Sequence, residues 1–233
     1  MKRLILIMNG KGGVGKSTFA INLVQHYKDL GLPHRSVDTD NENSTLKRFH
    51  NDADFVELSL PRGLDLLIRL VEKTETVIVD CRAASTDLIL GYLAEVNALD
   101  ILTSLQTRLT VVMPVNHEPD SIEQICVIAG ALGNRCDYVV VRNQVHSEHF
   151  SLYDNSRIRK RLSDELGGHE ITMPKLYDWL VTALNQHNLT VTAAIAPGEI
   201  SLIDRQRLLN WQRTLVAQIE LAGSFLLPEQ PQR

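Results

Sequence analysis

The chain reads as an α/β fold, a mainly parallel twisted sheet with helices on both faces. Three observations predict it. Strand-like apolar runs alternate with helix-period segments from end to end. Several of those runs end on a polar residue, and the first, Leu4-Ile5-Leu6-Ile7-Met8, passes directly into a glycine-rich turn. At 233 residues, 44% hydrophobic and 22% charged, the composition suits a globular chain with a sizeable core. We expect one domain over residues 1–227 and a disordered tail from Pro228 to Arg233.

The elements follow in order. After the glycine turn, Phe19, Leu23, Tyr27 and Leu30 recur near helical spacing, and Gly31 with Pro33 stops that helix. Ser36-Val37 predicts a short strand ending at Asp38, and the polar stretch to Asp54 predicts a loop with a short helix. Leu64, Leu67, Ile68 and Val71 give an i, i+3, i+4, i+7 stripe after Pro61 and Gly63. Val77-Ile78-Val79 predicts a buried strand ending at Asp80, then a helix from about Ser85 to Val96. Leu109 to Met113 predicts a strand closed by Pro114, and a helix opened by Asp120 or Ser121 runs through Ile122, Ile125 and Ile128 to Gly133. Tyr138 to Val141 is a further buried strand ending at Arg142-Asn143, and helices near 151–166, 176–186 and 202–222 complete the pattern. In such sheets ligands lie beyond the carboxyl ends of the strands, where the glycine turn, Asp38 with Asp40, Asp80 and Asn143 all fall.

Gly10, Gly15, Lys16 and Ser17 meet the pattern G-x-x-x-x-G-K-[ST] between a strand and an amphipathic helix. This is a phosphate-binding loop. A triphosphate needs many N–H donors converging without a Cβ in the way, and the following helix adds its positive end. Lys16 supplies a point charge to the β- and γ-phosphates, and Ser17 a hydroxyl oxygen to Mg²⁺. Asp80 forms a Walker B pattern, a carboxylate at a strand end placed to hold the ion through a water.

With Lys11 as a second lysine, Lys-Gly-Gly-Val-Gly-Lys-Ser resembles the deviant Walker A motif of the ParA/MinD family of ATPases. The resemblance implies an ATPase that hydrolyses ATP slowly, is stimulated by a cognate partner protein, and pairs as a homodimer with ATP sandwiched between the copies. It implies that Lys11 crosses to the partner's nucleotide and that Gly10, Lys11, Gly12, Gly13, Val14, Gly15, Lys16, Ser17 and Thr18 bind it. Asp38-Thr39-Asp40 resembles the first switch motif, in which Asp38 lies near the magnesium waters and Asp40 positions the attacking water. Asn41 stands where the family commonly has proline. Asn143 resembles the residue that hydrogen-bonds adenine, and Met173-Pro174 the segment that packs on the base. The catalytic set expected is thus Lys11, Lys16 and Asp40, the metal set Ser17, Asp38 and Asp80, and the cofactors ATP and Mg²⁺. The second switch departs from the family pattern with Cys81-Arg82-Ala83-Ala84-Ser85. Arg82 there suits either an ion pair within the fold or a contact with a partner or the second copy.

The output of such a switch is less constrained. A net charge of −4 excludes a protein basic all over, so nucleic acid would need a local patch. Arg157, Arg159, Lys160 and Arg161, with Arg205, Arg207 and Arg213 further on, offer one for non-specific DNA, as in plasmid partition. Membrane binding of the MinD kind is the alternative, through the stripe Leu208, Trp211, Leu215 and Ile219, although docking on the sheet explains that stripe better. Cys81, Cys126 and Cys136 form no C-x-x-C pair, which disfavours a metal-cluster reductase and leaves a small-molecule synthetase as the third reading. No apolar stretch reaches the length of a membrane span, so we expect a cytoplasmic, nucleoid-associated protein.

Overall fold

Parallel strands covered by helices on both faces have no solvent side to mark with polar residues, which is why the strand runs are almost continuously apolar. The computed structural model describes residues 1–198 and 200–228. β1 (Lys2–Ile7) leads through the glycine turn into α1 (Lys16–Asp29), and β2 (Arg35–Asp38) is followed by α2 (Thr45–Phe49), β3 (Asp54–Phe55) and α3 (Pro61–Lys73). Next come β4 (Thr76–Asp80), α4 (Thr86–Glu95), α5 (Ala98–Ser104), β5 (Thr107–Val115) and α6 (Pro119–Leu132). β6 (Asp137–Asn143), α7 (Ser151–Asp154), α8 (Arg157–Asp164), β7 (His169–Met173), α9 (Asp178–His187), α10 (Val191–Ile195) and α11 (Leu202–Leu221) follow.

The strands form one parallel sheet in the order β3-β2-β4-β1-β5-β6-β7. β1 lies between β4 and β5, with Ile7 level with Asp80 on one side and Val112 on the other. The chain therefore leaves β1 at the point where the strand order diverges, the position at which such sheets open a crevice. Alternation along β1 divides the core. Leu4 and Leu6 face α3 to α8, whereas Ile5 and Ile7 face α1, α2, α9, α10 and α11.

Several elements differ from the sequence reading. β3, α5 and α10 were not anticipated, because two, seven and five residues are too few to show a period. β5 runs on through Pro114 instead of closing there. Pairing with β1 has already ended at Ile7 and Val112, so the missing proline N–H breaks no ladder bond, and the Pro114 carbonyl accepts from Asn9 Nδ2 at 2.9 Å. The helix expected over 151–166 is two helices. The Ser156 hydroxyl accepts from the Arg159 N–H at 3.2 Å and starts α8 afresh. The final stripe of Leu208, Trp211, Leu215 and Ile219 is buried against the sheet, and the Tyr27 hydroxyl donates to the Leu226 carbonyl at 2.6 Å just beyond. Among the described residues no helix is long and apolar enough to cross a membrane. The expected tail, after Pro228, lies outside the described residues.

His50 joins α1 to α2. Its Nε2–H donates to the Ile21 carbonyl at 2.9 Å, which leaves Nδ1 to accept from the Lys28 ammonium at 3.2 Å. Burial first, and then Lys28, hold the ring below its ordinary pKa of 6.5. Unfolded His50 takes up a proton near that value and folded His50 does not, so its contribution is complete above about pH 6.5 and is lost as pH falls below it. Thermal melts should accordingly drop between pH 7.5 and 5.5. In His50→Gln, whose amide still reaches Ile21, the drop should be smaller; an unchanged slope would remove His50 as a source.

Candidate nucleotide-binding site

The glycine turn is held from outside by three amide side chains. Asn9, 2% exposed, donates to the carbonyls of Pro114 and Ser121 at 2.9 Å each and accepts from the Lys11 N–H at 3.0 Å. Gln124 Oε1 accepts from the Gly10 N–H at 3.2 Å and from the Thr86 hydroxyl at 2.9 Å. Asn143 Nδ2 donates to the Val14 carbonyl at 2.9 Å while its Oδ1 accepts from the Val145 N–H at 3.1 Å. Among the described residues, the backbone N–H groups from Gly12 to Thr18 donate to no protein acceptor. Those amides sit at the start of α1, where the helix dipole favours an anion.

Two glycines sit in tight places. A Cβ on Gly10 would meet the Gln124 side-chain amide and one on Gly15 would meet that of Asn143, so either amide would have to shift. Gly15 also takes φ +98°, a conformation that favours glycine.

The turn opens onto a polar cavity of about 330 Å³, lined among others by Gly12, Lys16, Ser17, Asp40, Asp80 and Arg82. Lys16 is nearly buried and its Nζ donates to the Lys11 carbonyl at 2.9 Å, closing the loop on itself. Burial lowers its pKa, against the pull of Asp80, Cys81 and Asp40. Asp80 is 2% exposed, and among the described residues its Oδ1 has no hydrogen-bond partner. Burial pushes its carboxyl up to about 7, with Asp38 and Asp40 adding to the shift while the Ser17 hydroxyl and Lys16 oppose it. A desolvated carboxylate with a free oxygen beside a hydroxyl is a donor set that fits a hard divalent cation such as Mg²⁺.

Asp38 is fully buried. Its Oδ1 accepts from the Asp40 N–H and its Oδ2 from the Lys47 N–H, both at 2.9 Å, so it holds the turn that carries Asp40 and does not itself line the cavity. Asp40 accepts from the Glu42 N–H at 3.0 Å and from the Asn43 side chain at 3.2 Å. Burial pushes its carboxyl upward, but these hydrogen bonds and nearby Arg82 outweigh it and keep the pKa low. Asn41, in place of the family's proline, reaches Glu57 at 3.2 Å.

Lys11 points elsewhere. Its Nζ pairs with Glu118 at 2.8 Å and Asp120 at 3.3 Å, at the start of α6 in the same chain. Val14 is buried, Gly13 takes φ +75°, and Thr18 lines both the polar cavity and a second, apolar one of about 180 Å³. Asn143, Met173, Pro174, Leu176 and Trp211 also line the apolar cavity, and the Pro174 carbonyl accepts from Trp211 Nε1 at 2.8 Å. The sequence thus pointed to the loop, its carboxylates and the Asn143, Met173 and Pro174 part of the apolar wall, but missed Gln124, Glu118, Asp120 and the contribution of Leu176 and Trp211 to that wall. Asn9, directly before the loop, was the one with a local signal, since a short amide can hydrogen-bond the backbone two residues on.

The basic residues do not form one patch. Arg157 and Lys160 are exposed on α8, whereas Arg159 is committed to Glu170 at 2.8 Å and to Asp154, and Arg161 faces Glu165 at 3.8 Å. Arg205, Arg207 and Arg213 lie on α11, across the sheet from α8. Arg205 is half-buried, and Arg207 pairs with Asp204 at 2.8 Å while lying over Trp179.

A model of the CobQ/CobB/MinD/ParA nucleotide binding domain matches residues 5–192. The chain belongs to this family. It is 25% identical over 218 residues to Protein MobD of Acidithiobacillus ferrooxidans, covering 91% of this chain and 93% of that one. It is also 25% identical over 250 residues to a Protein TraL of Escherichia coli, covering 96% and 99%. Among solved structures it resembles a putative plasmid partition protein of Borrelia burgdorferi bound to AMPPNP, at TM-score 0.53 and 15% identity over 93% of this chain and 99% of the other. It likewise resembles the septum site-determining protein MinD of Pyrococcus horikoshii complexed with Mg-ADP, at TM-score 0.52 and 17% identity over 97% and 99%. These structural likenesses show that the P-loop fold is shared.

Gly15→Ala tests the loop geometry. It places a side chain at positive φ and displaces Asn143, which should cost about 1–3 kcal/mol in a denaturant melt and weaken a triphosphate analogue at least about tenfold by calorimetry, since 1.4 kcal/mol corresponds to a factor of ten. Native affinity in this variant would show that the loop adopts another shape when loaded.

Proposed function

We propose that the protein is an ATP-driven dimerising switch of the plasmid-partition type, slow in hydrolysis and stimulated by a cognate partner protein. The observation that carries this reading is the run of free amides from Gly12 to Thr18, opening beside Lys16 and the unpartnered carboxylate of Asp80. Gly10 to Thr18 cradle the phosphates, and Lys16 leaves the Lys11 carbonyl to meet the β- and γ-oxygens. The base enters the apolar cavity between Asn143 and Pro174. Ser17 and Asp80 hold Mg²⁺, with Asp38 behind them. When bound, the ion neutralises charge on the β- and γ-phosphates.

Asp40 stays ionised and orients a water in line with the terminal phosphorus. The water oxygen bonds to phosphorus as the bond to the β–γ bridging oxygen breaks, ADP leaves with that electron pair, and the water's proton passes to the phosphate. Lys11 would complete the partner's site on dimerisation, after release from Glu118 and Asp120. Glu118 is partly and Asp120 largely open to solvent, so the pairs are weak and release costs little.

The ATP dimer would hold DNA non-specifically through the exposed Arg157 and Lys160, with Arg161 beside them and Arg205, Arg207 and Arg213 on the opposite face. The working place is then the cytoplasm, at the nucleoid. The burial of the α11 stripe favours DNA over a membrane surface.

Three variants examine the switch. Lys16→Ala should lose tight ATP binding, and Asp80→Asn should lose the Mg²⁺-dependent part of the affinity. Asp40→Ala should remain a dimer with ATP on a sizing column yet hydrolyse at least about a hundredfold more slowly; normal turnover would reassign the water-positioning role. A second experiment adds DNA or anionic vesicles to the Asp40→Ala dimer. DNA should bind only with ATP, and the log–log salt slope should flatten by about two when Arg157 and Lys160 are both replaced by alanine. Salt-insensitive or ATP-independent binding, or pelleting with vesicles instead, would count against the DNA reading.

A further inference from the structure

Arg82 stands two residues beyond Asp80 and lines the same polar cavity as Gly12, Gly13, Lys16 and Asp40. Its backbone is fixed. The Arg82 N–H donates to Thr39 Oγ1 at 2.9 Å, and that hydroxyl donates onward to the Asp80 carbonyl at 3.0 Å, tying the segment to the turn between Asp38 and Asp40. The guanidinium, by contrast, makes no ion pair among the described residues, and its Nε is buried without a hydrogen-bond partner. Its charge is felt by Asp40 and Glu57, both of which it holds lower. Lys11 does not line this cavity and is occupied by Glu118 and Asp120. The cavity's cations are therefore Lys16, at the inner end of the loop, and Arg82, on the side of Asp40 and Gly12.

A buried guanidinium donor with no partner is costly, and it persists where an anion from outside completes it. Arginine is suited to that task, because its planar fork meets two phosphate oxygens at once and its charge is permanent. The available position is beside the residues that face the terminal phosphate. Resting on the nucleotide reading above, we infer that Arg82 is a phosphate-contacting catalytic residue acting within its own chain. It bonds the terminal phosphoryl group of bound ATP, distinguishes ATP from ADP, and stabilises the charge that spreads over the transferring oxygens. Part of the role usually left to a residue from a second copy is thereby supplied by the chain that binds the nucleotide.

The test uses the full chain with Arg82→Ala and Arg82→Lys, each measured for ADP and AMPPNP affinity by calorimetry and for single-turnover hydrolysis. In Arg82→Ala, ADP affinity should stay within about threefold of wild type. AMPPNP should weaken about tenfold or more, and hydrolysis should slow about a hundredfold or more. Arg82→Lys should recover part of the rate, and millimolar guanidinium should recover part of it in Arg82→Ala. Equal loss of ADP and AMPPNP would reduce Arg82 to a structural brace, and a rate within about threefold of wild type would remove the inference. Mixing Arg82→Ala with Asp40→Ala should restore no activity, because each site keeps one lesion; recovery on mixing would move Arg82 across the dimer interface and overturn the same-chain assignment. Wild-type protein that binds neither nucleotide would instead sink the nucleotide reading itself.

Discussion

A loop that must present its amides to a ligand cannot use those amides to hold itself, and the rest of this site follows from that constraint. Among the described residues the N–H groups of Gly12 to Thr18 are uncommitted, so the shape of the turn is imposed by Asn9, Gln124 and Asn143, each from a different part of the chain. A Cβ at Gly10 or Gly15 would push two of those amides aside, and Gly15 also takes a positive φ. The sheet supplies the rigidity. β1 lies between β4 and β5, which fixes the take-off point of the loop against Asp80 and the segment leading to α6.

The same geometry concentrates charge where little water reaches. Asp38, Asp40 and Asp80 converge at adjacent strand ends, and the carboxyl of Asp80 is driven to about 7 chiefly by burial. Lys16 shifts the other way for the same reason. An arrangement of this kind is unfavourable for the empty protein and becomes favourable when a metal-bound polyanion is added, so binding energy and stability are traded against each other at one place. Arg82 belongs to this set. Its unpartnered Nε and the free oxygen of Asp80 are two unmet polar groups on one cavity.

The surfaces follow from the layering. Apolar residues of α8 and α11 pack on opposite faces of the sheet, which separates the two groups of arginines that lie close together in composition but not in space. Residue counting treats Arg157, Arg159, Lys160 and Arg161 as one basic run. The fold divides them, because Arg159 is drawn to Glu170 on β7 while Arg157 and Lys160 are exposed and make no ion pair among the described residues.

Most of the architecture was legible in the sequence, since the central strands β1, β4, β5 and β6 carry apolar runs and the glycine loop follows the first of them. Asp38, Asp40, Asp80 and Asn143 could be placed at strand ends by pattern alone. The short β3, α5 and α10 could not, nor could the passage of β5 through Pro114, because whether a proline breaks a strand depends on which neighbour its missing N–H would face and whether that strand still pairs there. Sequence by itself determined the glycine loop, the strand-end carboxylates and the helix stripes, all of which are set by residues adjacent in the chain or repeating at a fixed period. Only the tertiary structure decided that Asn9 and Gln124 brace the loop, that Lys11 rests on Glu118 and Asp120, and that Arg82 lines the cavity wall without an ion pair among the described residues. Those relations are contacts between residues up to 114 positions apart, and packing, not local spacing, selects them.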